Sequence, residues 1–434
     1  MASILFSFVG NQDPVSHNTN EEGSIVTLVR YLLAQQKTIK KIILLYTETT
    51  AKGAKETQEW LLDILENSPF KPEDFSLIQV QEKLSTDPVN LSLVIEEVKT
   101  QIKKIQEIQK GDDILELNSS SGTPTMKASL GVLQGAGYLP KSNIWQVRNP
   151  REMREGQARV FKTNVDILKQ EFDIKVIKEQ VSNYNYNGAL KTLSNSSLVD
   201  NGIGYFLQYG AYRLAFNFKD ASEYIRDFRS FFEERLTKEI NRLASKNQES
   251  ILIELYYHIL AHLKTKEYSQ FLILVFGFQE FVLKFLVRKF ISPDLLNKSW
   301  NQNLKQSVIN ACNNYEHGEL RKYVQKYRQY NQTLQIDKMS RIVMLRIIQY
   351  PSFSCPKSLI DNLLHLESYC DKRNELVHQF EGVSESDITE TELNDMVNKI
   401  QSILSDLFPD SFIKESCFAV LNKKIMAKLI NSDG

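Results

Sequence analysis

Two architectures in series are predicted: an α/β domain built on a mostly parallel sheet, then an all-α region. Three observations predict this. Over roughly the first 150 residues, short runs rich in Ile, Leu, Val and Phe alternate with helical patterns. After about Asn164 the strand pattern fades, and apolar residues recur at the three- and four-residue spacing of amphipathic helices. The chain, at 434 residues, is also too long for one ordinary domain.

Each element follows from local pattern. Ser3–Val9, Lys41–Thr47, Phe75–Gln81, Asp113–Asn118 and Asn143–Val147 read as buried strands, bounded by Gly, Pro, Asn or Asp. Helical stretches lie between them near Gly23–Gln36, Ala51–Glu66, Pro88–Gln109 and Thr123–Gln134. Strands separated by helices imply right-handed crossovers and a sheet covered on both faces. Further on, Asp220–Leu243, Gln248–Lys264, Ser269–Phe290 and Leu359–His378 carry the helical period. Ser182–Gly204, rich in Asn, Ser, Tyr and Gly, reads as loops or short helices, and Asn313–Thr333 as an exposed connection.

Composition narrows the function. Hydrophobic residues make up 42% and charged residues 24%, which excludes wholesale disorder. Lys+Arg and Asp+Glu are 53 each, so the chain has no bulk positive charge with which to coat nucleic acid. Any RNA contact must be local. Apolar runs such as Phe271–Phe278 fall short of the ~20 residues of a membrane span, and MASILFSFVG lacks the basic region of a secretory leader. A cytoplasmic protein is expected. The four cysteines, Cys312, Cys355, Cys370 and Cys417, form no CxxC pair, which argues against a zinc ribbon or a disulfide framework.

Two strand-end loops and one helical motif carry chemistry. The first loop holds Gly10, Asn11, Gln12, Asp13 and Ser16, where the glycine admits close backbone approach and the amides and hydroxyl offer neutral hydrogen-bonding groups. The second runs through Ser120, Ser121, Gly122, Thr123 and Pro124 to Lys127. Thr123 suits an N-cap and Pro124 the first helical position, so the helix end presents N–H groups to an anion. In open parallel sheets both loops belong at the ligand-binding edge. The motif is Arg373-Asn374-Glu375-Leu376-Val377-His378. A histidine that trades protons near neutrality, beside a permanent guanidinium, fits phosphodiester cleavage. Glu254, His258 and His262 share a helix face, but the run LIELYYHILAHL reads more simply as a packing helix. Asp112 and Asp113 read as solvated loop carboxylates, and His17, His317 and His365 have no partner at catalytic spacing.

Taken together, ILFSFVGNQDPVS, ILELNSSSGTPTMKASL, IWQVRNPREMRE and RNELVHQF resemble, in order and placement, the CARF–HEPN endoribonucleases of type III CRISPR–Cas systems, of the Csm-associated type. The resemblance implies a Rossmann-like CARF sensor domain over 1–165, a helical linker over 166–247 and an all-α HEPN domain over 248–434. It implies a homodimer whose sensor loops, the eleven residues from Gly10 to Lys127 named above, bind a cyclic oligoadenylate made by the CRISPR effector complex. Cyclic hexa-adenylate is favoured over the tetra-adenylate. Arg373, Asn374 and His378 are then the catalytic residues of a metal-independent cut in single-stranded RNA, with no cofactor and no membrane. Attack by the 2′-hydroxyl leaves a 2′,3′-cyclic phosphate and a 5′-hydroxyl. Some relatives slowly cleave their activator, which would direct attention to Asn11 and Thr123. Two other classes remain open: a CARF-containing regulator, and a scaffold with an inactive HEPN domain. The absence of a basic recognition helix counts against a DNA-binding regulator.

Overall fold

Five of the six strands of the N-terminal sheet are parallel, because each crossover between them is a helix or helix-bearing segment that returns the chain to the same edge. The computed structural model describes residues 2–17, 19–63, 69–109, 111–139, 141–163, 165–196, 198, 202–296, 298, 300–329, 331–369 and 387–430. The strands are β1 (Ala2–Phe8), β2 (Thr38–Tyr46), β3 (Phe75–Gln79), β4 (Ile114–Asn118), β5 (Ser142–Val147) and β6 (Val160–Thr163), ordered β3-β2-β1-β4-β5-β6. The last, β6, pairs antiparallel with β5. It is absent from the sequence reading, since VFKT is short and follows a charged stretch with no apolar periodicity.

The central strand shows why the sheet reads so clearly. Along β1, Ile4, Phe6 and Phe8 enter one apolar layer while Leu5 enters the other, the two-residue alternation of a strand buried on both faces. Helices α1 (Ser24–Ala34) and α2 (Ala51–Asp63) cover Leu5's face; α3 (Glu82–Thr86), α4 (Leu91–Ile108) and α5 (Pro124–Gly135) cover the opposite one. Glu116, fully buried in β4, is satisfied by Ser3, Lys37, Asn143 and Trp145, so a carboxylate sits in the sheet without an orphaned oxygen. Asp112 is exposed beside Lys141, as expected of a loop acid, whereas Asp113 is buried against Lys40.

The chain divides into two compact units, Met1–Asp173 and Ile174–Gly434, with α6 (Asp166–Ser182) crossing the boundary. The second unit is helical: α7 (Tyr186–Ser194), α8 (Ile203–Leu214), α9 (Phe218–Asp227), α10 (Glu234–Ala244), α11 (Gln248–Lys264), α12 (Tyr268–Ile291), α13 (Gln302–Asn314), α14 (Glu319–Gln325), α15 (Arg341–Ile348), α16 (Lys357–Ser368), α17 (Glu390–Leu407) and α18 (Cys417–Ile430). The helices α7 to α10, in the segment expected to link the domains, share this unit's core through Tyr186, Phe206, Tyr209 and Ile240. By length and composition α12 could cross a membrane, yet Phe271, Val275, Phe278 and Val282 are core residues, and buried Gln279 and Arg288 are hydrogen-bonded within the unit. Cys312 on α13 is fully buried, which pushes its thiol up to about 12. The segment read as an exposed connection, Asn313–Thr333, instead contains α14, anchored by buried Leu320 and Val324, and the hairpin strands β7 (Arg328–Gln329) and β8 (Gln332–Thr333).

Candidate functional site

The two predicted loops meet at the carboxyl edge of the sheet, and one side chain joins them. Asp13 turns inward: one carboxylate oxygen accepts from the Ser121 hydroxyl and the Gly10 N–H (3.0 Å), the other from the Ile25 N–H (3.3 Å). The last bond serves α1, whose N-cap, Gly23, has no capping side chain. Burial pushes the Asp13 carboxyl up, while Ser121, the two backbone N–H groups and the charge of Lys127 oppose the shift. Asp13 is therefore turned away from the solvent face on which a ligand would lie.

The remaining loop residues divide by exposure. Asn11, Gln12 and Pro124 are exposed; Gly10, Ser16, Ser120, Gly122, Thr123 and Lys127 are half-buried, and Ser121 is buried. Ser16 donates to Gln12 at 2.7 Å, stiffening the first loop. Ser120 Oγ accepts from the Val147 N–H at 2.7 Å, tying the second loop to the end of β5. Thr123 caps α5, as its position predicts, by accepting from the Met126 N–H (3.3 Å), and its hydroxyl donates to the Pro88 carbonyl (2.8 Å). With both roles engaged, the Thr123 hydroxyl is a positioning group. The backbones of the two loops pack closely: a Cβ on Gly10 would lie 2.9 Å from the Gly122 nitrogen. Gly122 itself adopts φ +91°, where other residues are strained.

Two further loops share this edge and escaped the sequence reading. Pro88 and Val89 present carbonyls to Thr123 and Thr125 (2.8 and 3.0 Å), and Thr47, Thr49 and Thr50 form a hydroxyl cluster after β2. The signal was available, since every loop following a parallel strand gathers at the same edge. A cavity of about 410 Å³ lies behind the first loop, lined by Asp13, Pro14, Val15, His17, Glu56, Glu59, Trp60 and Asp63. Its acidic wall is unsuited to a phosphate.

Arg373, Asn374 and His378 lie outside the described residues; what flanks them does not. Helix α16 leads toward the motif and ends at Ser368, while α17 starts beyond it with a Thr389–Glu392 capping box. Across these helices His365 Nε2 lies 2.6 Å from Asp395, which also accepts from the Tyr369 hydroxyl at 3.2 Å. His365, without a partner in the sequence reading, thus has one thirty positions away. His17 lines the acidic cavity, and His317 is exposed in a left-handed conformation.

The row Glu254, His258, His262 does not form one site. Arg213 makes two hydrogen bonds to Glu254 (2.8 and 2.6 Å), contacts Glu239, and donates to Tyr209 (2.7 Å). Burial pushes the Glu254 carboxyl up, but Arg213 and His258 pull it further down, to about 2. His258 is fully buried, stacked on Phe216 at 3.8 Å, and burial lowers its basicity. His262 pairs instead with Glu267 at 2.5 Å. Among the described residues Glu239, Glu254 and Cys417 cluster as metal-type donors, but the guanidinium already supplies their counter-charge. The adjoining cavity of about 590 Å³ includes the ion pairs Glu233–Lys424 and Arg242–Glu249 in its lining.

Residues 240–426 match the model of the Cas_Csm6 HEPN domain. The match covers much of the C-terminal helical region. The matched span contains Arg373, Asn374 and His378. The whole chain also superimposes on the structure described as Enterococcus italicus Csm6 bound to cyclic hexa-2′-fluoro-hexa-dAMP. The TM-score is 0.66, with 16% identity and 100% of each chain covered. The two chains therefore share a fold: a Rossmann-like, mostly parallel sheet domain followed by helices. No curated protein matches the sequence.

Proposed function

We propose that the protein is a CRISPR-associated endoribonuclease of the Csm6 type, switched on by a cyclic oligoadenylate. The observation that carries this reading is the R-N-x3-H motif, Arg373-Asn374-x3-His378, inside the residues matched by the HEPN model. His378 moves the proton, Arg373 offsets charge developing on phosphorus, and Asn374 orients the reacting groups. The cut is metal-independent, by 2′-hydroxyl attack. Domain limits follow as 1–165 for the sensor, 166–247 for the linker and 248–434 for the nuclease, in a cytoplasmic homodimer.

The activator seat is the loop edge of the sheet. Asn11, Gln12, Ser16 and Ser120 offer polar contacts, Gly10 and Gly122 let the two loops pack closely, Pro124 opens the helix beside them, and Lys127 adds a charge. Asp13, Ser121 and Thr123 hold that surface in shape. Cyclic hexa-adenylate is the favoured ring, supported by the analogue bound to the E. italicus structure.

The test mixes purified protein, labelled single-stranded RNA and synthetic cyclic tetra- or hexa-adenylate, with a chelator present. Cleavage should need the ring and yield 2′,3′-cyclic phosphate ends; His378→Ala should abolish it while activator binding persists. Full-rate cutting without any nucleotide would overturn the sensor assignment, and undiminished cutting by the variant would move the active site elsewhere.

A further inference from the structure

The chain balances its charges overall, but not along its length. Residues 320–360 carry eight Lys and Arg against one Asp, a surplus of seven in a chain whose total is zero. Several of these cations stand on α14 and the hairpin after it: Arg321, Lys326 and Arg328 are exposed, as is Lys338 beyond. Among the described residues, none of these four has a carboxylate at ion-pair distance; Lys322 and Arg341 are the cations of this segment that do, with Glu319 and Glu367.

The same segment carries a row of packed aromatic rings with one cation stacked on it. Tyr323 lies edge-on to Tyr350 at 5.3 Å and to Tyr327 at 5.5 Å, and the half-exposed Arg346 guanidinium stacks over Tyr327 at 4.2 Å. Hydrogen bonds hold the row: Tyr327 donates to Tyr323 Oη, which donates to the Gln349 carbonyl. The turn into α14 sets Glu316, His317 and Gly318 in successive left-handed conformations, fixing where the helix starts. Unpaired cations and ordered rings in one segment, with a guanidinium stacked on tyrosine, are what a single-stranded nucleic acid needs. A membrane surface is a poorer partner, because among the described residues of this stretch no large apolar side chain is exposed.

We propose that α14 and the β7–β8 hairpin form a docking strip for the single-stranded RNA substrate, with Arg321, Lys326 and Arg328 on phosphates and Tyr327–Arg346 as a base platform. The assignment rests on the ribonuclease reading above and extends it to how RNA is held. Bonding links the strip to the helix that precedes the motif in sequence: α14 is tied to α15 through Tyr323 and Gln349, α15 to α16 through Arg341 and Glu367, and Arg373 follows α16 along the chain.

The experiment measures RNA binding on the full chain carrying His378→Ala, so binding is read without cleavage. With a 20-nucleotide unstructured RNA, Arg321→Gln/Lys326→Gln/Arg328→Gln should weaken affinity at least tenfold. It should also flatten the slope of log K against log salt by about 2, from three lost phosphate contacts. Tyr327→Ala should weaken binding while Tyr327→Phe retains it. In the catalytically intact chain the triple variant should raise KM for the 20-mer, leaving cleavage of a tetranucleotide and activator affinity unchanged. Unchanged RNA affinity and salt slope in the triple variant would overturn the strip, as would equally tight binding of poly-glutamate to the same cations. Neither result depends on whether the wild-type chain cuts RNA, which is the separate test of the ribonuclease reading.

Discussion

The carboxylate of Asp13 accepts the hydroxyl of Ser121, 108 positions away in sequence, and so joins the loops that follow β1 and β4. The same group holds Gly10 and the first turn of α1, so one buried side chain sets three backbone segments. Asp13→Ala would leave two backbone N–H groups without their acceptor, each worth about 1–3 kcal/mol when buried. A loss of roughly 2–4 kcal/mol by urea denaturation is expected, with activator affinity by calorimetry falling at least tenfold. Because the folded carboxyl is raised above 3.8, its ionised form costs stability. Wild type should therefore gain on Asp13→Asn as the pH is lowered through the raised value, and a pH-independent difference would refute this.

Thr123 combines capping with a bond to Pro88, and the two substitutions Ala and Ser separate these from mere shape. Thr123→Ala should cost about 1 kcal/mol from the lost N-cap and weaken activator binding as the 87–90 loop is released. Thr123→Ser keeps the oxygen and should stay near wild type in both thermal melting and calorimetry.

Gly122→Ala tests the tight approach. The new Cβ would sit 2.9 Å from Met126 Sδ and 3.0 Å from Phe8 Cβ, on a backbone at φ +91°. Destabilisation of roughly 1–2 kcal/mol is expected from the left-handed strain alone, visible as a lowered Tm, together with weaker activation by the ring.

In the helical unit, Arg213→Met would strand Glu254 as an uncompensated buried charge. Breaking such a pair by one partner typically costs about 3–5 kcal/mol. Replacing both, as Arg213→Met/Glu254→Leu, should recover most of that loss, which chemical denaturation of the three variants measures. Glu254 is held at about 2, below its ordinary 4.5, so its contribution is present above pH 4.5 and fades as the pH falls through 2. Glu254→Gln should remove that portion of the acid sensitivity.

The sheet domain was legible because parallel strands buried on both faces appear as apolar runs, and SILFSFV and KIILLYT need no partner to be recognised. Capping by Thr123 was legible for the same local reason. Direction was not: spacing marks Asp13 as a loop polar residue but cannot say that it faces inward. Nor can spacing pair His365 with Asp395, because that contact depends on how α16 and α17 pack. Asn313–Thr333 misled through its polar tyrosines; the hydroxyls of Tyr323 and Tyr327 bond within the unit while Leu320 and Val324 do the anchoring.

Cys312 gives this molecule a built-in clock. Its sulfur is sealed inside α13's packing face and kept as the unreactive thiol, so an alkylating reagent gains access only when that helix lifts away. The labelling rate at this one atom would thus report how often the helical unit breathes, and whether ligands added at either end of the chain quieten it.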